Sequence, residues 1–155
     1  MRTLVLIPLL CLLLASCEKK KEEEPANNNP GSTAMSMTGM LDDTSFTADY
    51  FSSAYPGPLL HLFGYETQSL RNITLDINNK DVGTHTMTLD VNGTSASCAG
   101  GGGIGYSSWH GAGHGSITIS ASSATEVSGT FSFTGYNLSG TDSAVVSGQF
   151  SHFTF

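Results

Sequence analysis

Asn72-Ile73-Thr74-Leu75-Asp76-Ile77-Asn78 places an apolar residue at every second position. In an extended chain successive side chains point to opposite faces, so Ile73, Leu75 and Ile77 share one side and Asn72, Thr74 and Asp76 the other. A helix would scatter the three apolar side chains around its circumference, whereas a half-buried strand collects them on one face. The same period of two recurs along the chain. Met87, Leu89 and Val91 alternate with Thr86, Thr88 and Asp90, and Ile117, Ile119 and Ala121 with Ser116, Thr118 and Ser120. Val127, Gly129, Phe131 and Phe133 alternate with Ser128, Thr130, Ser132 and Thr134.

Turn residues separate these runs: Asn78-Asn79-Lys80-Asp81, Asn92-Gly93 and Ser139-Gly140-Thr141-Asp142. The closing stretch changes parity, because Val146 and Phe150 point one way and Phe153 and Phe155 the other. A β-bulge near Ser151 reconciles the two. No window carries a helical apolar stripe, and the abundance of Ser, Thr, Gly and aromatic residues disfavours helix. The expected fold is all-β, an antiparallel β-sandwich of about seven to nine strands with a small β-barrel as the alternative closure. Residues 32–155 are expected to form this single β domain, long enough to hold its own core.

Upstream, Arg2 is followed by an apolar run from Leu4 to Leu14. A membrane-spanning helix needs about 20 apolar residues, so this shorter run reads as a secretory signal peptide covering residues 1–16. It ends in Leu14-Ala15-Ser16-Cys17, which resembles the lipobox of bacterial lipoproteins. That resemblance implies cleavage between Ser16 and Cys17 and lipidation of the Cys17 thiol. Membrane affinity grows by about 0.8 kcal/mol per buried CH₂, so two or three acyl chains make a stable anchor. Residues 17–31 then form a flexible tether, charged and Asn-rich, with Pro25 and Pro30 opposing helix. Within it Lys21-Glu22-Glu23 resembles the acidic surface-export signal of Bacteroidota lipoproteins. The expected address is the outer membrane, lipid-anchored at the cell surface, with a spacer on the periplasmic face as the alternative.

The charge pattern narrows the partners. From Ser32 onward the only Lys or Arg residues are Arg71 and Lys80, set against Asp42, Asp43, Asp49, Glu66, Asp76, Asp81, Asp90, Glu126 and Asp142. Such a surface repels nucleic acid and anionic headgroups, leaving the lipid to hold the membrane. With Cys11 in the signal and Cys17 lipidated, Cys98 has no partner for an internal disulfide. It is read as a small buried thiol rather than a nucleophile, because no cation lies near it in sequence.

Three features carry candidate chemistry. Trp109-His110-Gly111-Ala112-Gly113-His114 follows the run Gly100 to Gly103. His110 and His114 are candidate metal ligands, although a zinc site needs a third or fourth ligand and the glycines point to a loop. Tyr55, Tyr106 and Trp109, with Tyr50, Phe51 and Tyr65, are loop aromatics that either stack on a glycan or close the ends of the fold. Asp142-Ser143-Ala144 resembles the acceptor of Bacteroidota O-glycosylation, which makes Ser143 a candidate attachment site. No local pattern supplies a nucleophile with its base or a placed pair of carboxylates, so the chain is not read as an enzyme and no cofactor is expected.

The ordered segments Leu41-Asp42-Asp43-Thr44-Ser45-Phe46-Thr47-Ala48, Gly83-Thr84-His85-Thr86-Met87, Gly115-Ser116-Ile117-Thr118-Ile119, Val127 to Phe133 and Val146 to Phe150 resemble a family of uncharacterised small Bacteroidota lipoproteins with a β-rich domain of unknown function. Asp43 stands where that family usually has a turn Gly, and His85 where it has an aromatic. The resemblance implies a fold and an address, with no ligand or active residues. The expected function is a lipid-anchored binding or structural module of the cell envelope with its ligand open, a glycan or an envelope protein being the candidate partners and a glycan-binding surface protein the alternative. A metal-dependent hydrolase is the competing class, and the oligomeric state is left open.

Overall fold

A computed structural model describes residues 34–90 and 92–155. The signal peptide, Cys17 and the tether lie outside the described residues. Among the described residues there are eleven strands and no helix. They are β1 (Ser36–Leu41), β2 (Thr44–Thr47), β3 (Tyr50–Ala54), β4 (Leu59–Glu66), β5 (Arg71–Asn78) and β6 (Gly83–Thr86), then β7 (Ser95–Ala99), β8 (Gly105–Ser107), β9 (His114–Ser122), β10 (Glu126–Tyr136) and β11 (Ser143–Thr154).

All pair antiparallel in one strongly curled sheet. One half runs β2-β1-β11-β10-β9-β6 and the other β8-β7-β5-β4-β3. The two halves join in the ladder at a single pair, Tyr136 of β10 opposite Ser107 of β8. At the other side the chain passes from β2 directly into β3, with Ala48 donating its N–H to Met37 O and Asp49 donating to Tyr65 O. The halves face one another across a common core, which is the sandwich-like arrangement expected of two amphipathic sheets.

That core collects the residues whose alternation pointed inward. Met37, Ile117, Phe131, Phe133, Val146 and Phe150 come from the first half, and Leu60, Leu62, Ile73, Leu75 and Ile77 from the second. Phe51 of β3 meets Phe153 of β11 edge-on at 5.6 Å, so an aromatic pair bridges the two halves.

The parity change in β11 has the anticipated cause. Val127 stands opposite Phe153 while Gly129 stands opposite Phe150, so β11 carries an extra residue between them. The bulge centres on Ser151 and His152, where His152 takes a positive φ of 55° and donates its N–H to Ser128 Oγ at 2.9 Å. Phe150 and Phe153 are thereby both buried. β9 bulges against the same stretch of β10, since Ser128 pairs with Ala121 and Gly129 with Ile119. Gly129 sits under both bulges, and a Cβ there would run into Thr118 O and the Phe150 ring.

Three readings change. The strand count is eleven because β2, β6 and β8 are four, four and three residues long, too short to show a period. The alternation of Met87 and Leu89 does not form a strand, and Val91 lies outside the described residues. β6 ends at Thr86, Met87 is buried, and Leu89 is 63% exposed. An Asx turn, in which Asp90 Oδ1 accepts from Asn92 N, bends the chain away before the pattern can pair. Ala121 lies beyond the β9 bulge and is exposed, off the face of Ile117 and Ile119. At the β1–β2 hairpin Asp42 and Asp43 both take positive φ, 45° and 60°, the geometry that accounts for a glycine preference there.

Candidate functional site

The outer face of the second half is built by strand parity. Leu60, Leu62 and Gly64 of β4 turn inward, so His61, Phe63 and Tyr65 turn outward, and Tyr50 lies opposite Tyr65 on β3. The Phe63 and Tyr65 rings lie within 10° of parallel with centroids 6.4 Å apart, and Tyr50 meets Phe63 edge-on at 6.4 Å. Tyr50 is 56% exposed.

The same face continues into a groove of about 300 Å³ lined by Asn72, Ser97, Ala99, Ser107, Trp109 and Leu138, among others. Register carries it there. Tyr65 stands opposite Asn72, Asn72 opposite Ala99 and Ala99 opposite Gly105. Two residues further along each strand, Phe63 stands opposite Thr74, Thr74 opposite Ser97 and Ser97 opposite Ser107.

The groove wall is the loop after β8, which two turns hold in place. His110 N donates to Ser107 O, and Gly113 N donates to His110 O at 3.0 Å. Buried Ser108 ties the loop to β7, donating its N–H to Ala96 O while its Oγ accepts from Ala96 N. Gly111 takes a φ of 58° with the Tyr136 ring where a Cβ would sit, so a larger residue cannot follow this path. His110 Nδ1 lies 2.8 Å from Ser107 Oγ, and the Trp109 ring meets the His110 ring at 5.8 Å.

The structure separates the other candidates. Trp109 lies in the groove beside Tyr106, whose hydroxyl donates to Asp142 Oδ2 at 2.9 Å. That bond, first of all, holds the Tyr106 phenol above its usual range. Tyr55 lies elsewhere, against Phe155 at 5.5 Å and beneath the Lys80 ammonium. His114 points its Nδ1 at Ala112 O, away from the partner that His110 uses. Among the described residues no three His, Cys, Asp or Glu side chains converge in a way that could hold a metal ion. Ser143 opens β11, exposed, with its N–H donated to Asp142 Oδ1.

Cys98 is buried, and its thiol is pushed up to about 12 by that burial and then by the charge of Asp42. It is therefore protonated at neutral pH and a poor nucleophile. Two His–carboxylate pairs form, His61 Nδ1 to Asp76 Oδ1 and His152 Nδ1 to Glu126 Oε1, each at 2.7 Å. Neither lines the groove. At the rim, Glu66 accepts from Ser69 Oγ, Thr47 N and Arg71 Nε, and its carboxyl is held low by the Ser69 hydroxyl first, against the opposing effect of burial.

Phe63 and Asn72 belong to this face without standing out in sequence. Phe63 ends the run Leu59-Leu60-His61-Leu62-Phe63, where it passes for one more core residue. The alternation of Leu60, Leu62 and Gly64 against His61, Phe63 and Tyr65 is the signal that marks it as outward.

Residues 33–153 match a domain of unknown function, DUF6252. No curated protein and no solved structure matches the chain.

Proposed function

We propose that this chain, which belongs to the DUF6252 family, is a lipid-anchored binding module of a bacterial envelope, displayed at the surface of the outer membrane. The observation that carries the reading is Leu14-Ala15-Ser16-Cys17 at the end of a short apolar run, followed by a charged, proline-containing tether. β1 begins at Ser36, opposite Ser151 near the end of β11, so the chain enters the domain at one end of these strands. The groove joins β10 at Tyr136, the last residue of that strand, whose first residue Glu126 stands opposite Thr154. Within the domain the groove therefore lies at the end of β10 opposite the end at which β1 begins.

The test is protease shaving of intact cells beside a Cys17→Ala variant. Cleavage of the wild-type domain on intact cells, with loss of membrane attachment in the variant, is the expected result. Protection until the outer membrane is opened would move the domain to the periplasmic side, and attachment that survives Cys17→Ala would overturn the anchor.

A further inference from the structure

We infer that the outer face of β3, β4, β5, β7 and β8 is a strip that binds a neutral glycan chain, with Tyr50, Phe63 and Tyr65 as stacking rings and Trp109 at the groove end. This names the ligand class of the binding module proposed above and rests on that reading.

The register makes the strip continuous. The row Tyr50, Tyr65, Asn72, Ala99, Gly105 and the row Ser52, Phe63, Thr74, Ser97, Ser107 each cross five strands side by side. At about 4.8 Å between neighbouring strands, the rows extend for roughly 19 Å. That is the length of a short oligosaccharide rather than of a single small molecule. The chemistry is likewise two-sided. Aromatic rings at one end and Trp109 at the other offer faces for the C–H surface of a sugar ring, and the amide of Asn72 with the hydroxyls of Thr74 and Ser97 offers partners for its hydroxyls. A mostly apolar cleft with a few placed polar groups is the usual composition of a ligand site.

Charge selects among glycans. Both Lys/Arg side chains of the domain are engaged. Arg71 donates to Glu66 and to Ser45 O, while Lys80 donates to Ser123 O and lies over the Tyr55 and Phe155 rings. Asp49, Glu66 and Asp142 lie around the strip, on Thr67, Arg71 and Tyr106 respectively. With Arg71 and Lys80 both engaged and carboxylates at its rim, the strip repels uronic-acid or sulfated polymers and accepts an uncharged one.

The experiment measures binding of the full-length chain in detergent micelles to uncharged glucan, mannan, galactan and xylan, with polygalacturonate as the charged control. Affinity electrophoresis and titration calorimetry report the affinity. Binding of at least one neutral polysaccharide is expected, weakened at least tenfold by Tyr65→Ala and by Trp109→Ala with unchanged far-UV circular dichroism, and retained in Tyr65→Phe. Failure of all four neutral polymers, tighter binding of polygalacturonate, or unaltered affinity in both alanine variants overturns the proposal. So does binding of a protein ligand at this face with no glycan bound. If shaving exposes the domain and no neutral glycan binds, the strip falls and the anchored module stands. If a glycan binds while Cys17→Ala stays on the membrane, the address falls and the strip stands.

Discussion

On β10 the positions opposite the core hold Ser128, Thr130, Ser132 and Thr134, whereas on β4 the same positions hold His61, Phe63 and Tyr65. The inner faces of the two strands are alike: Val127, Phe131 and Phe133 on one, Leu60 and Leu62 on the other, all buried. Burial constrains an inner face to apolar side chains of fitting volume, so it reports on folding. An outer face is free to be polar, and from Ser128 to Thr134 of β10 it is. Half-buried aromatic rings on the outer face of β4 add little to packing and leave apolar surface in water, a composition better explained by something that docks there. The contrast separates residues that make the fold from residues that make a surface.

Exchanging the same kind of ring on the two kinds of face gives the largest effect. Phe150→Ala removes a fully buried ring beneath the double bulge, where Gly129 and Phe131 cannot collapse into the space, and is expected to cost about 3–5 kcal/mol in urea unfolding. Tyr50→Ala on the outer edge is expected to cost about 1 kcal/mol or less. Equal losses would erase the distinction between the inner and outer faces.

The inner faces were legible because a period of two is a local property. Ile73, Leu75, Ile77, Ile117, Phe131 and Phe133 all took the side their alternation assigned. The bulge at Ser151 was legible for the same reason, since Val146 and Phe150 conflict in parity with Phe153. The outer face is not local. Tyr55 and Tyr65 are both loop-proximal tyrosines in sequence, yet register sends Tyr65 beside Asn72 and the groove, while Tyr55 goes to Phe155 and Lys80. Met87 and Leu89 show the reverse failure, a valid period with no partner strand, overridden by the Asp90 turn. Phe63 was hidden inside an apolar run whose inward members are Leu60 and Leu62.

A middle-sized effect comes from the rim of the second half. The Glu66 carboxyl titrates below its ordinary 4.5, held there by Ser69 first and aided by Thr47 N–H and Arg71. A carboxyl depressed on folding stabilises the fold above its unfolded value, and that stabilisation disappears as pH falls through its lower folded value. Wild-type stability should therefore decline more steeply below about pH 4.5 than that of Glu66→Gln, with the two curves converging in strong acid. Parallel pH profiles from thermal melts would remove Glu66 as a source of pH-dependent stability.

The smallest effect tests the seam where the halves meet. Only one ladder pair, Tyr136 opposite Ser107, joins β10 to β8, and Tyr106 adds a side-chain tie by donating its hydroxyl to Asp142. The tie is exposed, so Tyr106→Phe should cost about 1 kcal/mol or less globally. Its local effect should be larger. Asp142 also accepts from Ser143 N, and its backbone carbonyl accepts from Asn137 N, so releasing it should speed amide hydrogen exchange between Asn137 and Ser143. Tyr106 titrates above its usual 10.0, so this contribution is present at neutral pH and is lost as pH rises through the raised folded value. In the variant the turn should exchange quickly while β10 and β11 keep their protection, because those strands belong wholly to the first half. Loss of protection along all of β10 would mean that the halves fold as one unit with no seam, and the outer strip would then be coupled to the core it is here set apart from.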